Sequence, residues 1–246
     1  KAAVIQFPAH SIRQSALDQA PHLREKFCVL PYALPNFPPH ISPKTQLSEN
    51  PKLLFVGRLH PEKGVHLLLK ALGLLPEALA KKLTLTLVGP DASDMGGGGE
   101  HYLKELHSLA QKSPAKVIFA GAVFNPDALA AHYASADLFI YPSLADKGET
   151  FGVAPLEALS HGVPVLLSSL PCFGDFLKAG QNGFVFDHHS AEPAQSLAMA
   201  LSEALQAPHD WSRLSACARA SSEGFTLPKV SAMFLNKFKE LLAQKS

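Results

Sequence analysis

Glu149 and Glu157 stand eight residues apart around the turn Thr150-Phe151-Gly152-Val153-Ala154-Pro155-Leu156. Gly152 permits close approach of backbone to a ligand. Pro155 has no N–H to donate and suits the first turn of a helix. The segment predicts a loop that opens into a helix at about Gly152 to Pro155. A helix start offers free N–H groups and the positive end of a dipole, which attract phosphate. The two carboxylates can accept hydrogen bonds from neutral hydroxyls. Anion-binding backbone beside hydroxyl-binding carboxylates is the combination a sugar nucleotide requires. A second cluster is Gly57-Arg58-Leu59-His60-Pro61-Glu62-Lys63-Gly64. Arg58 can grip phosphate oxygens with a planar fork and Lys63 adds a mobile point charge, which together suit a pyrophosphate. Two solvated surface cations are the plainer reading of that loop alone. Its spacing is not that of a P-loop. The dinucleotide Gly-x-Gly-x-x-Gly fingerprint is also missing, which argues against a nicotinamide or flavin oxidoreductase.

The elements that must position these residues alternate along the chain. Short apolar runs at 52–56, 83–88, 116–120, 138–141, 163–167 and 184–186 read as strands. Helical patterns at 65–75, 100–112, 126–134, after Gly152, and at 173–179 separate them, with Asn125 a candidate N-cap. Apolar strands between helices of about ten residues indicate parallel βαβ units buried on both faces. The predicted fold class is α/β, an open, doubly wound parallel sheet closed by helices at 194–205, 211–220 and 228–243. Ligands of such sheets bind outside the carboxyl ends of the strands. Arg58, Gly121 to Phe124 and Tyr141 to Gly152 all fall there. Upstream, 2–7 and 27–30 read as short strands around a helix at 11–20, and six prolines between Pro31 and Pro51 forbid regular structure and read as a linker.

Composition narrows the classes. The 246 residues are 47% apolar and 17% charged, enough for a packed core. A net charge of +1 recommends neither nucleic acid nor an anionic membrane as a bulk partner. Cys28, Cys172 and Cys217 lack paired spacing, which suggests free thiols in a reducing compartment, and a cytoplasmic location is expected. Four consecutive glycines, Gly96 to Gly99, read as a flexible loop tip in preference to a phosphate cradle. His188-His189 reads as a surface turn, with no metal site expected. Tyr141 and Phe139 read as core, and His60 and His161 as neighbours of the site.

Val56-Gly57-Arg58-Leu59, Glu62-Lys63-Gly64, the run Ala136-Asp137-Leu138-Phe139-Ile140-Tyr141-Pro142-Ser143, Glu149-Thr150-Phe151-Gly152, Leu156-Glu157-Ala158 and His161-Gly162-Val163-Pro164-Val165 occur in this order. In order and spacing they resemble the C-terminal, donor-binding half of retaining glycosyltransferases with the GT-B fold. The resemblance covers roughly residues 53–186. It implies a nucleoside diphosphate sugar as donor, a carbohydrate or glycolipid hydroxyl as acceptor, retention at the anomeric carbon, and no required cofactor or metal. It also implies site residues. Gly57, Arg58 and Lys63 would surround the donor pyrophosphate, and Glu149 would accept from donor-sugar hydroxyls. Thr150 and the backbone of Phe151, Gly152 and Val153 would line the sugar and phosphate. Glu157 would hold the ribose hydroxyls, and the nucleobase would lie near Val123 and Phe124. Arg58, Lys63 and Glu149 would carry the catalysis.

The resemblance divides the chain into 1–30, the end of an acceptor-side domain, a hinge at 31–51, a nucleotide-sugar domain at 52–227 and a C-terminal helix at 228–246. Family members carry a whole N-terminal domain. Its absence here predicts a chain inactive alone, with any peripheral membrane contact made through that missing half. Cys172-Phe173-Gly174-Asp175 stands where the family often has Gly-Gly and Glu, so contacts of that loop are not carried over. The alternative to an enzyme half is a noncatalytic nucleotide-sugar-binding or regulatory module.

Overall fold

The chain is described by a computed structural model over residues 3–243. Residues 1 and 2, at the start of the expected 1–30 segment, and 244–246, at the end of the expected 228–246 segment, lie outside the described residues. Strands β1 (Ile5–Phe7) and β2 (Phe27–Val29) pair in parallel around helix α1 (His10–Gln19). The main sheet contains β3 (Lys52–Val56), β4 (Thr84–Val88), β5 (Lys116–Gly121), β6 (Leu138–Tyr141), β7 (Val165–Ser168) and β8 (Gly183–Phe186). Its order is β5-β4-β3-β6-β7-β8, and every pairing is parallel. The chain winds outward from β3 to β5, returns to β6 beside β3, and winds the other way. Right-handed crossovers in opposite directions lay helices on opposite faces. Every residue of β6 and β7 is buried, as strands covered on both faces must be. This is the open, doubly wound sheet expected from the alternation.

The helices are α2 (Val65–Leu74), α3 (Glu77–Ala80), α4 (Gly99–Gln111), α5 (Pro126–Ser135), α6 (Val153–Ser160), α7 (Pro193–Gln206), α8 (Trp211–Ser222) and α9 (Leu227–Ala243). Helix α2 packs against α4 and α7, and α6 against α8. Asn125 caps α5, its side chain accepting from the Ala128 N–H at 3.0 Å. Among the described residues, no helix is long and apolar enough to cross a membrane. Cys28, Cys172 and Cys217 are free thiols.

The helix expected at 173–179 does not form. A short 3-10 turn, Pro171–Asp175, takes its place. Phe173 and Phe176 both turn into the core. The buried Asn182 side chain donates to the Phe176 carbonyl at 2.7 Å and accepts from the Lys178 N–H at 2.8 Å, so the backbone finds partners outside a helical ladder. The proline-rich stretch lacks helix, as expected, but it is pinned. Asp137, 1% exposed, accepts from Lys44 Nζ, Ser48 Oγ and the Lys52 N–H, each at 2.8 Å. Three donors, one of them the Lys44 ammonium, offset the cost of burying that carboxylate. Arg219 donates to the Pro38 carbonyl and lies over the Phe37 ring, 3.9 Å from its centroid.

Candidate functional site

Strands β3 and β6 are hydrogen-bonded neighbours, and there the winding of the sheet reverses. That crevice is where such sheets take ligands. The Gly57 to Gly64 loop leaves β3 and the Pro142 to Gly152 loop leaves β6. Gly64 adopts φ 68°, and a Cβ on it would lie 2.0 Å from the Pro142 carbonyl oxygen. Only glycine lets these two loops touch. Lys63 ends a 3-10 turn (Pro61–Lys63) and is buried. Its Nζ donates to Glu149 Oε2 at 2.8 Å and lies 5.6 Å from the Tyr141 ring centroid. The loop exposes Asp146, Lys147 and Gly148 before Glu149 turns inward, its N–H held by the Ala145 carbonyl at 2.9 Å. Arg58 is more open. It donates to the Gly96 carbonyl at 2.7 Å and to Glu62 Oε1 at 2.5 Å.

Gly152, at φ 88°, opens α6, and a Cβ there would lie 2.6 Å from the Phe173 ring. Leu156, Ala158 and Leu159 bury one side of this helix, and Glu157 projects from a half-buried position. Tyr133 on α5 donates to Glu157 Oε2 at 2.8 Å. Burial raises the Glu157 pKa, and the Tyr133 hydrogen bond opposes this. Burial and the Glu157 carboxylate together push the Tyr133 phenol well above its ordinary value. Tyr133 packs on Phe139 with centroids 5.8 Å apart, and Phe139 stacks on Tyr141 at 6.2 Å. Three rings thus connect Glu157 to the surroundings of Lys63 and Glu149. Burial, then the Glu149 carboxylate, raises the Tyr141 phenol, while Arg58 pulls the other way. Cys172 sits in the same electrostatic neighbourhood. Burial first and Glu149 second push its thiol up to about 12, so it is an inert thiol at neutral pH.

The structure therefore gathers Arg58, Lys63 and Glu149 around Tyr141, and attaches Glu157 through Tyr133 and Phe139. Gly57 donates its N–H to the Val88 carbonyl at 2.9 Å at the base of the same loop. Phe151 is buried, edge-on to Phe176 at 5.8 Å, and Thr150 and Val153 are half-buried beside it. Val123 rests against the core, whereas Phe124 is 79% exposed on the loop after the edge strand β5. These two share the strand-end rim but stand apart from the central cluster. Phe139 and Tyr141 are buried, as expected, and His161 stacks on Tyr133 at 5.2 Å.

Two expectations need correction. Gly96 to Gly99 is a defined turn in place of a flexible tip. The N–H groups of Gly97, Gly98 and Gly99 donate to Ala92, Leu59 and Asp91 carbonyls at 2.9, 2.8 and 2.8 Å. His188-His189 does lie in a turn, but His188 is buried and both rings converge on Asp146. Sequence reading passed over Tyr133 and Asp146. Tyr133 lies 24 positions before Glu157 on another helix, and no local pattern links them.

The family model for "Glycosyl transferases group 1" matches residues 39–221. The chain is 33% identical over 144 residues to the lipopolysaccharide 1,2-N-acetylglucosaminetransferase of Salmonella typhimurium, covering 58% of this chain and 36% of that enzyme. It spans about a third of the length of the first curated relatives it matches. Anabaena HepE in complex with UDP superimposes with a TM-score of 0.76 at 21% identity, covering 97% of this chain and 64% of that one. Sucrose-phosphate synthase from Thermosynechococcus elongatus gives 0.75 at 21% identity, covering 99% and 59%. The sheet thus has the Rossmann-like fold of the C-terminal domain of GT-B glycosyltransferases. By the family match, which spans the sheet and the crevice at its winding reversal, the chain belongs to the glycosyl transferases group 1 family.

Proposed function

We propose that this chain supplies the donor-binding half of a retaining glycosyltransferase, moving a sugar from a nucleoside diphosphate sugar to a carbohydrate or glycolipid hydroxyl. The observation that carries this reading is the buried Lys63–Glu149 pair, 2.8 Å apart at the winding reversal. A cation for the diphosphate and a carboxylate for sugar hydroxyls stand side by side, one from each strand-end loop. Arg58 adds a second cation at the open mouth. Helix α6 starts at Val153, four residues after Glu149, and the dipole at a helix start favours a phosphate or hydroxyl oxygen. Glu157, oriented by Tyr133, is the acceptor for ribose hydroxyls. Val123 and Phe124 line the approach of the base. HepE binds UDP, and uridine diphosphate is the nucleotide we assign here.

In the reaction the bond from the anomeric carbon to the diphosphate oxygen breaks, and its electron pair stays on the diphosphate. Arg58 and Lys63 stabilise that charge, so the reaction needs no divalent ion at the diphosphate. The acceptor hydroxyl oxygen bonds the same carbon on the same face, its O–H bond breaks, and the proton passes to the departing diphosphate oxygen. Free thiols fit a reducing compartment, and we place the protein in the cytoplasm. Calorimetry of the intact protein with UDP, a UDP-sugar and NAD tests the reading. Binding of both uridine ligands and not of NAD is expected, and binding of NAD without UDP would sink it.

A further inference from the structure

The loop after β6 makes a second junction that the donor reading does not use. His188 and His189 follow β8, and their Nε2 atoms each lie 3.1 Å from Asp146 Oδ1. Ligand-type atoms of the three residues all fall within 4.8 Å of one another. Side chains of consecutive residues usually diverge, yet these rings lie side by side with centroids 3.9 Å apart. The two nitrogen–oxygen separations suit a single ion. Two ligands about 2.1 Å from zinc stand about 3.0 Å apart at a right angle and about 3.4 Å apart at the tetrahedral angle. His188 is buried, and its Nδ1 lies 2.9 Å from Ser169 Oγ. A hydrogen bond at that nitrogen orients the ring, and when Nδ1 donates, the Nε2 lone pair faces Asp146. A lone pair facing a carboxylate requires a proton or a cation between them. The Asp146 and His189 side chains are 51% and 64% exposed, which leaves an ion a path of entry.

We propose that Asp146, His188 and His189 form a divalent transition-metal site, with zinc the fitting ion, that ties the loop after β6 to the end of β8. Two imidazole nitrogens and one carboxylate oxygen favour zinc over magnesium and calcium, which prefer all-oxygen shells. Three protein ligands leave a fourth position for water. Asp146 lies in the same loop as Glu149, so the bound ion restrains the segment that carries Glu149. The site stands independently of the donor assignment.

The test is calorimetric titration of the intact protein with zinc chloride and with magnesium chloride, repeated on His189→Ala and Asp146→Asn. Both substituted side chains are largely exposed, and far-UV circular dichroism checks that each variant keeps its fold. One zinc per chain is expected, no magnesium, and a loss of affinity of about tenfold or more in either variant. Zinc K-edge absorption of the wild-type complex checks the donor set without any substitution, and should show two imidazoles with oxygen ligands. A wild-type protein that takes up no zinc overturns the proposal and leaves a hydrogen-bonded cluster only. Uptake undiminished by both substitutions, or thiolate scattering at the zinc edge, overturns it equally by placing the ion elsewhere.

Discussion

Lys63 Nζ and Glu149 Oε2 meet at 2.8 Å although 86 positions separate them in the chain. The sheet makes the meeting possible, because β3 and β6 are adjacent where the winding reverses. Each side chain is only 10% exposed, and Lys63 Nζ has a second, longer contact with Glu62 Oε1 at 3.7 Å, so it is the Glu149 charge that depends most on its partner. Removing one partner of a buried pair leaves an uncompensated charge, at a cost of about 3 kcal/mol or more. Lys63→Met is therefore expected to destabilise the protein more than the double variant Lys63→Met with Glu149→Gln. Urea unfolding of the wild type, both singles and the double measures the coupling. A coupling near zero would show that the pair contributes nothing to the unliganded crevice.

Glu157 is expected to trade stability for binding. Its pKa in the folded protein is raised by burial above the ordinary 4.5. The folded state therefore holds that proton more tightly than the unfolded chain does. Stability from this group is fully present below the unfolded value and is lost as pH rises through the folded value. Glu157→Gln keeps an acceptor for Tyr133 and removes the charge. The variant should gain stability relative to wild type as pH is raised from 4 to 7. Denaturation at a series of pH values would reveal the trend, and a constant difference would contradict it.

The two glutamates should separate by ligand. Glu157→Ala removes the carboxylate assigned to the ribose and should weaken UDP by about 1.5–3 kcal/mol, the worth of a hydrogen bond to a charged group. Glu149→Gln should spare UDP and weaken a UDP-sugar. Equal losses for both ligands in both variants, read by calorimetry, would erase the division of roles.

Gly152→Ala should damage both fold and site. The substitution forces an L side chain to φ 88° and drives its Cβ to within 2.6 Å of Phe173. A loss of about 1 kcal/mol or more in unfolding free energy is expected, with weakened UDP binding because the start of α6 shifts. Wild-type stability and affinity in this variant would mean that the turn before α6 is far more pliant than its packing implies.

The sheet was legible because buried parallel strands leave continuous apolar runs, and residues 52–56 and 138–141 show them without ambiguity. The strand-end position of Arg58, Lys63 and Glu149 was legible for the same reason. What escaped was tertiary. Residues 173–179 look helical locally, yet Asn182 supplies the backbone with other partners. The glycine run looks mobile until carbonyls of its own loop and of the loop after β3 fix it. Tyr133 under Glu157 and Asp146 beside two histidines are juxtapositions made by strand order, which no short window of sequence encodes.

His10 offers both its backbone N–H, at 3.0 Å, and its ring nitrogen, at 3.2 Å, to Asp175. Asp175 closes the short turn whose Phe173 ring presses on Gly152. The first helix and the glycine from which α6 departs therefore both contact the same short turn. The small upstream sheet unit is thereby joined to the start of α6 by side-chain contacts, although the two lie far apart in the chain.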